Sequence, residues 1–261
     1  NISGAKSGQG VCARMKSKPD GYTIGSLTYD SIITVPYFGL IPDYSMDKLD
    51  FICTVTEHPT VIAVNKKAPW DTLEELVADA KKNPGSIAVS NVGLGGVWHL
   101  PAVDFEMKAD VSFNHIPFPG GSAEQREALL KNEVPVACIS IGAIYPALKS
   151  GHAKLLGIMS EEPLEEYPDV PTFKEEGYDV VWGSMRIVAV PAGTPAHKRE
   201  RLQSACSETA QDKKWKEWLA ESGGGGWIWR DAEETRSLVN SMQDKVFPLL
   251  DSLVEQGVVE K

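Results

Sequence analysis

Between residues 60 and 160 the chain alternates short apolar runs with longer segments of helical period. "TVIAVN" (60–65) is a continuous apolar strand, and "DTLEELVADAKKNPG" (71–85) follows with Leu73, Leu76, Val77 and Ala80 on one stripe. Asp71 and Glu74 have capping-box spacing, and Pro84-Gly85 ends the helix. The same alternation then gives strands at 86–90, 111–118, 134–141 and 154–160, and helices over "WHLPAVDFEMK" and 122–132. On either side lie strands at 22–28 and within 180–195, and the last third reads as helices at 195–211, 213–221 and about 231–256. Strands separated by helices predict an α/β architecture with a parallel or mostly parallel sheet covered on both faces.

Ligands of such sheets bind beyond the carboxyl ends of the strands. Three loops fall there: 90–96, "PFPGG" at 117–121, and the turn after Ser140. They are rich in glycine and hydroxyl groups, which suits hydrogen bonding to an anion better than holding a metal. "VSNVGLGGVWHL" (89–100) is the most pointed of them. It is no dinucleotide fingerprint, because Trp98 stands where the third glycine belongs, and no P-loop, because no Lys follows the glycines. Two readings stay open: a tight turn with no ligand, or a helix N-terminus whose free N–H groups and partial positive charge receive a small anion.

Composition narrows the classes. The 261 residues are 42% hydrophobic and 24% charged, enough for one large unit or two small lobes without stapling. A formal net charge of −10, with no run of Lys or Arg, argues against a general nucleic-acid or anionic-membrane binder. Cys12, Cys53, Cys138 and Cys206 are too scattered for a zinc or thioredoxin-type motif, and spacing cannot assign a disulfide among them. No apolar run approaches the roughly 18 to 20 residues of a membrane span. The Gly run 223–226 reads as a flexible connector.

Catalytic signatures do not assemble. Cys138 occupies the first glycine position of the nearest approach to G-x-S-x-G, around Ser140. None of the five His residues falls in a metal-binding pairing, and each reads as a surface or structural histidine, with His99 beside the Gly loop the candidate for lining a site. "EEPLEEYPD" (161–169) reads as a solvated acidic face. No catalytic residue, metal site or cofactor is expected, and a binding protein is.

Several stretches together are similar to one family. "SKPDGYTIGSLT" (17–28), "DTLEELVADAKKNPGSIAVSNVGLGGVWHL" (71–100), "HIPFPGGSAEQREALLKNEVPVAC" (115–138), "PDVPTFKEEGYDVVWGS" (168–184) and "VPAGTP" (190–195) resemble the periplasmic solute receptors of tripartite tricarboxylate transporters, the Bug or TctC-like proteins. The resemblance runs in order along nearly the whole chain and implies a two-lobed type II periplasmic-binding-protein fold, each lobe a mostly parallel sheet flanked by helices. It implies a periplasmic receptor that closes on a small carboxylate (a di- or tricarboxylate, amino-acid dicarboxylate or aromatic acid) and delivers it to membrane permease subunits, with no nucleic-acid partner. Lobe one is expected at 1–64 plus 190–261 and lobe two at 65–189. Family members begin with a strand and a P-F-x-P-G-G-like loop that this sequence lacks ahead of "NISGAKSGQG", so truncation and a missing first strand of lobe one are expected.

On position, the carboxylate pocket is expected to draw on Ser90, Asn91, Gly95, Gly96 and His99 from the Gly loop. Phe118, Gly120 and Gly121 would come from the next loop, Ser140 from the following strand end, and Ser26 and Thr28 from lobe one. Charge-assisted hydrogen bonds to carboxylate oxygens would be their work, although Asn and Ser side chains also serve as turn caps. Trp182, Ser184 and Arg186 share a face of an alternating strand, and an Arg in so apolar a stretch reads either as a bidentate carboxylate clamp or as a salt-bridge partner. Alternatives are a LysR-type effector domain, which would need a helix-turn-helix upstream, an enzyme on the same fold, and a receptor reporting to a sensor kinase.

Overall fold

The computed structural model describes residue 2 and residues 8–41, 43–221 and 227–261. The chain separates into two compact units: Asn1–Glu57, Met185–Trp218 and Trp227–Lys261 in unit 1, His58–Ser184 and Leu219–Gly226 in unit 2. It passes between them within two strands, β2 (Leu49–Asn65) and β7 (Gly183–Pro191), and again within a helix near residue 218. The crossovers expected at 64/65 and 189/190 lie later along the same two strands. The Gly run 223–226 and most of "NISGAKSGQG" lie outside the described residues.

Unit 2 holds the α/β alternation. Its strands are the second half of β2, then β3 (Ala88–Asn91), β4 (Asn114–Pro117), β5 (Val136–Ser140) and β6 (Ala153–Ile158). Helices α4 (Leu73–Lys82), α5 (His99–Ala109), α6 (Ser122–Leu130) and α7 (Ile141–Lys149) alternate with them. β3 pairs in parallel with β4 on one side and β5 on the other, whereas β2 runs antiparallel to β5 and to β6. β5 is apolar but for Ser140 and buried throughout, and β3, Ala-Val-Ser-Asn, is buried over all but its first residue, as strands covered on both faces are.

Local chemistry adjusts several predicted boundaries. Helix α4 is capped by Thr72, whose Oγ1 accepts from the Glu75 N–H at 3.1 Å, and Glu75 reaches back to the Asp71 N–H. The cap thus sits one residue beyond the Asp71/Glu74 pair. The strand expected at 111–118 shrinks to Asn114–Pro117 because its first donors turn elsewhere: the Val111 N–H bonds the Glu106 carbonyl and the Phe113 N–H bonds the Glu106 carboxylate. The segment expected as a turn after Ser140 is helix α7, which carries Pro146 inside it.

Unit 1 contains α1 (Gly8–Met15), β1 (Gly25–Leu27), the single turns α2 (Tyr29–Ile32) and α3 (Thr34–Tyr37), and the first half of β2. After the return through β7 come α8 (Ala196–Gln211), α9 (Lys213–Glu221), which ends in unit 2, then β8 (Trp227–Arg230) and the long α10 (Ala232–Glu255). β1 lies antiparallel to β7, with Ser26 opposite Val188, and β8 lies antiparallel to β2. A capping box starts α10: Asp231 Oδ1 accepts from the Glu233 and Glu234 N–H groups, and the Glu234 carboxylate accepts from the Asp231 N–H.

Unit 2 is packed tightly enough for one glycine to be a steric requirement. A Cβ at Gly157 of β6 would stand 2.9 Å from Phe173 and 3.3 Å from Leu73, both fully buried. Gly157→Ala is therefore expected to destabilise the protein by ~1–3 kcal/mol through overpacking, read as a lowered urea midpoint at unchanged m.

Candidate functional site

Three parallel strands of unit 2 end side by side, and a helix begins shortly after each. β3 ends at Asn91, paired with Pro117 at the end of β4, and β5 ends at Ser140. Helices α5, α6 and α7 follow at His99, Ser122 and Ile141. Helix N-termini carry unpaired N–H donors and a partial positive charge, so this strand-end edge favours an anion without any cationic side chain.

Asn91 organises the Gly loop. Its side chain is fully buried, and Oδ1 accepts from the Gly93 N–H at 2.8 Å, closing an Asx turn. Its carbonyl accepts from the Phe118 N–H at 2.7 Å, which ties this loop to the next. Gly93 and Gly95 have φ of 126° and 69°, values at which a side chain would be strained. The Gly96 N–H bonds the Gly93 carbonyl at 3.0 Å, and the Gly95 N–H donates to His99 Nδ1 at 3.1 Å. The buried His99 ring meets His115 edge-on at 4.6 Å, and His115 Nε2 lies 2.8 Å from Glu106. Trp98, at the position where a dinucleotide motif would need glycine, donates from Nε1 to Ser122 Oγ at 2.9 Å and so links the end of this loop to the start of α6.

The second loop is likewise occupied by its own bonds. The Gly120 N–H donates to Glu124 Oε2 at 2.8 Å, and the Gly121 N–H, at φ of 88°, donates to the Phe118 carbonyl at 3.0 Å. Gly121 leads α6 with no side-chain cap, and the Ser122 and Ala123 N–H groups have no partner among the described residues. Ser140 caps α7, its Oγ accepting from the Ala143 N–H at 3.3 Å. The fully buried Gln125 bridges the strands by donating from Nε2 to the Cys138 carbonyl at 3.0 Å and to Ser90 Oγ at 3.4 Å.

The structure thus brings Ser90, Asn91, Gly95, Gly96, His99, Phe118, Gly120, Gly121 and Ser140 to one edge of unit 2. The four glycine N–H groups in that set are engaged within the loops, so their contribution is shape. The open donors lie one step further on, at Ser122 and Ala123. His115, Glu106 and Gln125 escape sequence reasoning because each reaches the edge from a different element.

Ser26, Thr28 and Arg186 belong to unit 1. Ser26 is exposed on β1, and Thr28 leads α2, its N–H donating to Ser31 Oγ at 2.9 Å. The shared face expected for Trp182, Ser184 and Arg186 does not form. Trp182, Ser184 and Met185 are buried while Arg186 is exposed, because the burial phase of β7 shifts at the residue where the chain changes unit. Arg186 donates to the Met185 carbonyl at 3.1 Å, and partial desolvation pulls its pKa down while the charge of Asp30 raises it. Among the described residues no group of three or more His, Cys, Asp or Glu could hold a metal, and no helix is long and apolar enough to cross a membrane.

An α/β core with glycine-built loops and helix starts at its strand ends recurs in solved solute-binding proteins. A TctC solute-binding protein from Polaromonas superposes with a TM-score of 0.81 at 30% identity, covering 97% of this chain and 86% of that one. The sequence matches the tripartite tricarboxylate transporter family receptor over residues 3–254, and the chain belongs to that family. A UPF0065 protein encoded in the gbd 5′ region of Cupriavidus necator is 30% identical over 202 residues, 77% of this chain. This chain spans 61% of that relative's length. MatC from Rhodopseudomonas palustris, solved with bound malate, shares the fold at a TM-score of 0.79 and 22% identity, over 94% of this chain and 84% of that one. The family is one of solute-binding receptors rather than enzymes.

Asn91→Ala removes the acceptor for the Gly93 N–H inside a buried turn. It is expected to cost ~1–3 kcal/mol of stability, measured by urea unfolding, and to raise amide exchange across residues 92–96.

Proposed function

We propose that this chain is the solute-binding part of an extracytoplasmic receptor that takes a small carboxylate and passes it to the permease of a tripartite tricarboxylate-type transporter. The observation that carries the reading is the strand-end edge of unit 2, where α5 and α6 begin after glycine-shaped loops and α7 begins directly at the end of β5. Its donors are neutral. The Ser122 and Ala123 N–H groups would bond one carboxylate oxygen pair, with the Ser140 hydroxyl proton available beside them and Ser90, Asn91 and His99 holding the loops in place. Hydrogen bonds to an ionised acceptor are about twice as strong as neutral ones, which lets such a site work without a cation. Family membership supports the transport role and the periplasmic location, and the malate in MatC supports a dicarboxylate-sized ligand.

Within unit 1, Ser26, Thr28 and Arg186 are proposed as carboxylate-binding residues in their own right.

A thermal-shift series with mono-, di- and tricarboxylates and aromatic acids tests the reading, since a ligand that binds the folded state alone raises the melting temperature. A shift of several degrees with one class of acid is the expected result. No shift with any acid, on protein shown to be folded by circular dichroism, would overturn the carboxylate assignment. With the responding acid in hand, Arg186→Gln is expected to weaken binding about tenfold or more, the scale of one charged hydrogen bond, as measured by calorimetry. Unchanged affinity would remove Arg186 from the site.

A further inference from the structure

Of the four cysteines, two meet. Cys53 is fully buried in β2, and Cys206 is half-buried on α8. Both belong to unit 1, where Cys206 and Leu202, one helical turn apart, pack against a cluster formed by Ile52, Cys53 and Val190. Cys206 thus lies against the buried patch that contains Cys53, and each thiol is the leading influence on the other's protonation. Cys12, on α1, and Cys138, in unit 2, are buried away from this cluster.

We propose that Cys53 and Cys206 are a disulfide-forming pair that links β2 to α8 within unit 1. The chemistry divides between them by exposure. Cys53 is fully buried and Cys206 only half so, which makes Cys206 the group that meets an oxidant as a thiolate, its pKa drawn down beside Cys53. Its sulfur attacks one sulfur of a small disulfide, breaking that S–S bond and releasing one thiolate. Cys53 then gives up its proton and attacks the Cys206 sulfur of the mixed disulfide, expelling the second thiolate. Two protein thiols are oxidised and one small disulfide is reduced to two thiols. In an oxidising compartment such a bond persists, and it would fasten α8 to the strand beneath it.

The test is oxidation of the whole folded chain with oxidised glutathione, followed by thiol titration in denaturant and peptide mapping without reductant. The expected result is a fall from the four thiols of the sequence to two, a loss of two hydrogens in intact mass, and a cross-linked peptide pair containing Cys53 and Cys206. In Cys12→Ser the loss of two thiols should persist. In Cys206→Ser, or in Cys53→Ala if that variant fails to fold, no internal bond should form. Four thiols remaining, a stable glutathione adduct on Cys206, or a bond that involves Cys12 or Cys138 would overturn the assignment.

Discussion

The arrangement of the strand-end edge depends on the double engagement of Asn91. A buried amide side chain cannot leave its polar atoms idle, and here Oδ1 closes the Gly loop while the backbone carbonyl holds Phe118 of the next. Trp98 adds a third tie through Ser122, and Gln125 a fourth through Ser90 and Cys138. The edge is a hydrogen-bonded assembly in which the loops are shaped by one another, and the first N–H groups of α6 have no partner among the described residues.

That division of labour fits the carboxylate binding proposed above. A site built from Lys and Arg attracts every anion and must pair or solvate its own charges when empty. One built from main-chain donors carries little net charge and sets its geometry through turns, so selectivity becomes a matter of shape. The formal net charge of −10 is compatible with this, because partial charges at helix ends act within about a turn of the helix and do not depend on the overall sign of the surface.

Much of unit 2 was legible because its elements carry distinct periods. Helix α4 follows its apolar stripe, and β5 its continuous run. Helix α7 was not legible, since "IGAIYPALK" is apolar on most sides and contains a proline, so neither amphipathicity nor composition marks it as helical. Strand β2 begins at Leu49, well before its apolar stretch at 60–65, because Glu57, His58 and Pro59 interrupt the hydrophobic run that the backbone continues through. At the edge itself the residue types were readable and their commitments were not. A glycine N–H looks available in sequence, and only tertiary structure shows that Gly120 is taken by Glu124 and Gly95 by His99. The face assigned to Arg186 failed for a related reason: alternation extrapolates only while a strand stays against the same core.

Ser140 closes β5 opposite Thr60 and caps α7 in the same stroke, so strand passes to helix with no connecting residue. A residue inserted there would rotate the whole helix about its axis or slide the strand out of register, and a deleted one would take the cap with it. The loop at 118–121 is held at both ends, by the Phe118 N–H on Asn91 and the Gly120 N–H on Glu124, so a change of length there would also be felt by its neighbours. The junction at Ser140 is therefore the point of this edge least able to absorb a change in chain length.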